Sequence, residues 1–137
     1  MKIARLLQLF FFLSIIIISS CSDNDEEFGD TSLISFEEAT FSEDQFIIYL
    51  TEDPNGKTFS FGAGTYNFTN TIPLADIENL TIKGAGIDET YFDFSNSAST
   101  SGEGIAAMDC SNLLFCGFTI QNTNGGNAIT ARNITGL

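Results

Sequence analysis

The stretch Asn79-Leu80-Thr81-Ile82-Lys83-Gly84-Ala85-Gly86 decides the fold. Leu80 and Ile82 alternate with Thr81 and Lys83, the two-residue period of a half-buried strand, and the glycines stop it. The pattern returns at Asn112-Leu113-Leu114-Phe115, and Asn133-Ile134-Thr135 begins what looks like a third copy. The spacings are 33 (112 − 79) and 21 (133 − 112). Residues 95–104 are small, polar and glycine residues with one acid, so they read as a ten-residue inserted loop. Without that loop the first spacing falls to 23 (33 − 10), close to the second. A repeat of about twenty residues made only of short strands and turns is the unit of a solenoid.

The neighbouring sequence extends the pattern. Thr58-Phe59-Ser60-Phe61 alternates and then breaks at Gly62-Ala63-Gly64; Tyr66, Phe68, Ile72 and Leu74 follow. Further short strands are expected at residues 90–94, 105–108, 113–115, 118–120 and 128–131, with no helical stretch between them. This is an all-β reading. Stacked repeats would set Leu80 and Ile82 on Leu113 and Phe115, with Phe118 and Ile120 as a second inward pair. Asn79, Asn112 and Asn133 would then form an asparagine ladder at one turn, where stacked amides satisfy each other and nearby backbone groups. The same register turns Lys83 and Cys116 outward. It also leaves Gly136 where the third copy should carry an inward apolar residue.

These residues resemble a right-handed parallel β-helix of the pectin-lyase-like kind. Gly64-Thr65-Tyr66-Asn67-Phe68-Thr69-Asn70-Thr71-Ile72 is similar to a first coil, and Asn79 to Gly86 to the next with its glycine turn. Asn112 to Ile120, with Gln121-Asn122-Thr123 and Gly126-Asn127-Ala128-Ile129, resembles a later coil. The likeness covers roughly residues 55–137. It implies a polysaccharide ligand, since the family includes polysaccharide lyases, epimerases and hydrolases. It also includes proteins without catalysis, and the fold does not choose among them. Catalytic groups in such enzymes usually lie on central coils. Gly136-Leu137 follows the start of a strand with no capping element, so the expectation is that only the first few coils are here, or that another subunit covers the end.

A cap is readable at the other end. In Phe41-Ser42-Glu43-Asp44-Gln45-Phe46, Ser42 and Gln45 have capping-box spacing, and Phe41 and Phe46 that of a hydrophobic staple. Glu43 and Asp44 suit the first turn, where the helix dipole favours anions. A short helix from Glu43 to Glu52 is favoured over a strand across the β-formers Phe46 to Thr51. Asp53-Pro54-Asn55-Gly56 closes it with a turn.

The N-terminus carries the clearest motif. Lys2 and Arg5 precede Leu6 to Ile18, apolar apart from Gln8 and Ser14. That run is shorter than the roughly 20 residues a bilayer span needs, and it fits a secretory leader. Ile18-Ser19-Ser20-Cys21 resembles a bacterial lipobox, which implies cleavage before Cys21 and a diacylglyceryl group on its sulfur. Ser22-Asp23-Asn24-Asp25-Glu26-Glu27 has no apolar residue and is expected to be a disordered tether. It resembles the surface-export signal of Bacteroidota lipoproteins and reads equally as a plain linker. The chain therefore divides into a leader (1–20), an acidic tether (21–35), a cap (36–56) and incomplete stacked coils (57–137). The expected location is the outer membrane, at the cell surface or on its periplasmic face.

Removing the leader leaves Lys57, Lys83 and Arg132 against 18 acids, a net charge of −15. Nucleic acid is excluded, since it needs basic patches to displace counterions. An acidic polysaccharide is disfavoured for the same reason. There is no His, so imidazole catalysis is absent. Cys110 and Cys116 make no disulfide framework and read as two separate thiols. The sequons at Asn67, Asn79 and Asn133 read as turn chemistry before Thr-rich strands. Carboxylates are the only catalytic candidates. Asp88, Glu89 and Asp93 cluster after the glycine turn and Asp109 precedes the second repeat. They read as a calcium or acid/base site or, preferably, as solvated turn acids, so no catalytic residue, metal ligand or cofactor is assigned. The expected function is a lipid-anchored protein that binds or processes a polysaccharide. The alternative is a structural or adhesin-type surface module.

Overall fold

The computed structural model describes residues 33–100 and 102–136. Cys21, the leader and the tether up to residue 32 lie outside them. Strand β1 (Leu33–Phe36) occupies the last residues assigned above to the tether, because Phe36 has an aromatic core to enter. Helix α1 (Glu43–Glu52) follows, with Ser42 as its N-cap accepting from the Gln45 N–H at 3.4 Å. The Phe41 and Phe46 rings lie 6.3 Å apart, as the staple requires. Helix wins over strand here because Phe46 and Leu50, one helical turn apart, are buried together on one face.

The chain then passes through three sheets in a fixed order. The first pass gives β2 (Thr58–Phe61), β3 (Gly64–Asn67) and β4 (Ile72–Ala75). The second gives β5 (Glu78–Gly84), β6 (Thr90–Asp93) and β7 (Ile105–Met108). The third gives β8 (Ser111–Cys116), β9 (Thr119–Gln121) and β10 (Ile129–Arg132). Sheet one is β1-β2-β5-β8, sheet two β3-β6-β9 and sheet three β4-β7-β10, and every pairing is parallel. The described fold is thus mainly short strands in parallel sheets, with one short α-helix.

Register places Leu80 beside Leu113 and Ile82 beside Phe115. Alternate residues face a shared core that includes Phe59, Phe61, Tyr66, Phe92 and Ile105. Each such side chain contributes roughly 1.5–3 kcal/mol by leaving water. Aromatic rings stack from pass to pass: Phe68 on Phe94 at 5.1 Å, and Phe92 on Phe118 at 4.4 Å. At the first-pass end, carboxylates cover backbone N–H groups of β3 and of the bend after it. Glu38 accepts from the Thr65 N–H at 3.0 Å, and Glu43 from those of Thr69 and Asn70, both at 2.9 Å. Bare edges of this kind otherwise invite pairing with other chains.

One register differs from expectation. The third pass has a spacing of 24 (129 − 105), not 21: Ile105 pairs with Ile129, and Ser111 bridges Thr135. The corner between sheets three and one holds two left-handed residues, three positions apart. Asp76, Asp109 and Asn133 fill the first, with φ of 55°, 54° and 52°; Asn79, Asn112 and Gly136 fill the second, at 58°, 52° and 69°. Asn133 therefore leaves the ladder of Asn79 and Asn112, and its amide donates to the Asp109 carboxylate. Gly136 takes the position opposite Asn112 because glycine tolerates positive φ at no steric cost. The inward residue of that corner is Ile77, then Cys110, then Ile134.

Cys110 is buried and free, with its thiol on the Met108 carbonyl at 3.1 Å. Cys116 is disulfide-bonded, so the two are not a pair, nor are both thiols. Among the described residues no helix is long and apolar enough to cross a membrane.

Candidate binding face

The outward side of sheet two brings separated residues into two rows. Register aligns Thr65, Tyr91 and Thr119 in one row, and Asn67, Asp93 and Gln121 in the other. Their neighbours Tyr66 and Phe92 point into the core, so the strand period of two forces these rows outward. Tyr91 is half-buried, with its hydroxyl donating to the Asp88 carbonyl at 3.1 Å. That bond ties the ring to the turn before β6, in the row next to the one that carries Asp93.

Asp93 is the centre of the polar row. Its Oδ2 accepts from Gln121 Nε2 at 2.9 Å and Asn122 Nδ2 at 2.8 Å, and its Oδ1 accepts from the Ser95 N–H at 2.8 Å. Burial alone would raise its pKa, but the hydrogen bonds from Ser95, Asn122 and Gln121 outweigh that and hold it below the ordinary aspartate range. The carboxylate therefore stays ionised. Each amide engaged with it keeps its carbonyl oxygen and a second N–H for another partner. Asn122 itself sits in the left-handed region, at φ 57°.

The other acids noted in the sequence do not join it. Asp88 and Glu89 are exposed in the turn before β6. Asp109 stands at the corner between sheets three and one, bonded to Asn133. Among the described residues no group of three or more His, Cys, Asp or Glu is placed to hold a metal ion. Asn79 and Asn112 do meet, with Asn112 Nδ2 donating to Asn79 Oδ1 at 2.9 Å; this contact ties two passes together at a turn. The sequence marks Tyr91, Gln121 and Asn122 only as strand and strand-end residues. The signal that reveals them is the spacing of sheet two, which is 28 from Asp93 to Gln121 (121 − 93).

The arrangement is an aromatic ring beside a fixed set of carboxylate and amide groups. It can hold hydroxyl-rich ligands by hydrogen bonds and an apolar sugar face by ring contact. Searched against protein-family models, curated proteins and solved structures, the chain has no match.

Proposed function

We propose that this chain is a lipid-anchored bacterial outer-membrane protein, displayed at the cell surface, whose sheet two binds a neutral polysaccharide. Tyr91 beside the Asp93–Gln121–Asn122 cluster carries the reading. Neutrality follows from charge, since 18 acids against three cations in the mature part repel anionic polymers. The strands are read as a right-handed parallel β-helix. The repeated order of the three sheets supports a helical path, and parallel crossovers are right-handed in about 98% of cases. Binding is favoured over processing because amides, not a second carboxylate, surround Asp93, whereas glycoside hydrolysis typically needs two carboxyl groups. Cys21 carries the anchor, and the acidic stretch Ser22 to Glu27 directs surface display.

A glycan array probed with the full chain in detergent tests the binding. Binding to a neutral glycan is expected, lost at least tenfold in Tyr91→Ala and Gln121→Ala with unchanged circular dichroism. An array with no binding above background overturns the reading and leaves the structural module.

A further inference from the structure

We propose that Asn124 is a site of spontaneous covalent modification, converting in the folded protein to aspartate and isoaspartate, while the fold protects Asn55 from the same reaction. An asparagine followed by glycine occurs twice in the chain, at Asn55-Gly56 and at Asn124-Gly125. Glycine in second place favours this chemistry because, with no Cβ, its backbone nitrogen can approach the side-chain amide carbon. Both asparagines are exposed, so access to water does not separate them. Their hydrogen bonds do.

Asn55-Gly56 is clamped to the start of β5. The Gly56 N–H donates to the Glu78 carbonyl at 3.1 Å, and Asn55 Oδ1 accepts from the Glu78 N–H at 2.8 Å. One residue of a neighbouring strand thus holds both the attacking nitrogen and the amide it would attack. Both bonds must open before the two atoms can meet. Asn124-Gly125 lies instead in an exposed bend between β9 and β10. The Asn124 side chain forms no hydrogen bond among the described residues. Apart from its chain neighbours, nothing lies within 4 Å of the place a Cβ on Gly125 would take. The Gly125 N–H donates to the Thr123 carbonyl at 2.7 Å, a contact inside the bend itself. Gly102 backs this bend at the Asn124 carbonyl, and the Asn124 side chain is left unbonded.

The step needs water alone. The Gly125 nitrogen gives its proton to hydroxide and bonds to Asn124 Cγ, and the side-chain nitrogen leaves as ammonia with a proton from water. The succinimide ring so formed takes up water at either carbonyl, giving aspartate or isoaspartate. Either product adds a carboxylate two residues beyond Asn122, whose amide donates to Asp93 at 2.8 Å. Isoaspartate also lengthens the backbone there by one methylene.

The full chain, kept folded in detergent at mildly alkaline pH or unfolded in urea at the same pH, tests this over days. Peptide mass spectrometry, with fragmentation that separates isoaspartate from aspartate, follows both sites. In the folded chain Asn124 is expected to convert about tenfold or more faster than Asn55, whose two bonds to β5 must first open. In urea the two rates should converge. Folded Asn55 converting as fast as Asn124 overturns the inference. So does a folded Asn124 that stays intact while the unfolded chain converts, or a preference for Asn124 that persists unchanged in urea.

Discussion

Gly84 and Gly117 stack backbone on backbone where sheet one turns into sheet two, so closely that neither has room for a side chain. A Cβ on Gly117 would stand 2.6 Å from the Gly84 carbonyl oxygen, and one on Gly84 would overlap the Gly117 carbonyl and lie 2.7 Å from Thr90 Cβ. Thr90 is fully buried there, its hydroxyl donating to the Gly62 carbonyl and accepting from the Ala85 N–H, both at 2.9 Å. The corner is closed by hydrogen bonds around a contact that only glycine permits.

Gly84→Ala is therefore expected to destabilise by about 1–3 kcal/mol through overpacking. Thermal unfolding should show a fall in Tm of several degrees. Gly86→Ala is the control: its nearest neighbours are atoms of Glu89 at 3.5 Å or more, and its Tm should barely move. Equal effects at both positions would contradict the account of the corner.

Asn112 combines two roles, a left-handed backbone and a side-chain bond to Asn79 at 2.9 Å. Asn112→Ala loses the bond, worth about 0.5–1.5 kcal/mol, and forces alanine into a conformation costing about 1–2 kcal/mol. Asn112→Gly loses only the bond. Alanine should therefore be the less stable of the two by about 1 kcal/mol or more in chemical denaturation. A glycine variant no more stable than alanine would show that the backbone conformation is not what selects Asn here.

The helix and most strands are legible in the sequence because their signals are local. Ser42 and Gln45 stand three apart, and Phe59 and Phe61 two apart, so short windows contain the whole pattern. The corner between sheets three and one misleads because Asn, Asp and Gly are interchangeable at positive φ. Asn133-Ile134-Thr135 mimics Asn79-Leu80-Thr81 while standing at the position of Asp109. The binding face is illegible for another reason. Turn lengths differ at each corner, so the spacing of paired residues is 23 between Thr58 and Thr81 (81 − 58) but 28 between Tyr91 and Thr119 (119 − 91). No single repeat length places Tyr91, Asp93 and Gln121 together.

Asp93 makes stability depend on acid in a defined direction. Its folded pKa is depressed, so its contribution is present above the unfolded pKa, about 3.9, and is lost as pH falls through the folded value. Asp93→Asn should be less stable than the parent near neutral pH. The gap in Tm should shrink as pH drops below about 4. A gap of constant size down to strong acid would mean that the charge of Asp93 contributes nothing.

The proposed anchor on Cys21 is tested by its chemistry. The proposed diacylglyceryl thioether would occupy its sulfur, so lipidation and a disulfide at that residue exclude each other. Mass spectrometry of the N-terminal peptide from membrane-fractionated protein should show cleavage before Cys21 and the lipid mass on it. Cys21→Ala should take up no labelled fatty acid and should leave the membrane fraction. The acidic stretch from Ser22 to Glu27 is tested in the same cells. Replacing its four acids, Asp23, Asp25, Glu26 and Glu27, with Asn and Gln should move the protein out of reach of externally added protease while it stays lipidated. Fatty-acid labelling that survives Cys21→Ala, or a Cys21 found in a disulfide instead of a thioether, would remove the anchor. Surface exposure would then need another explanation.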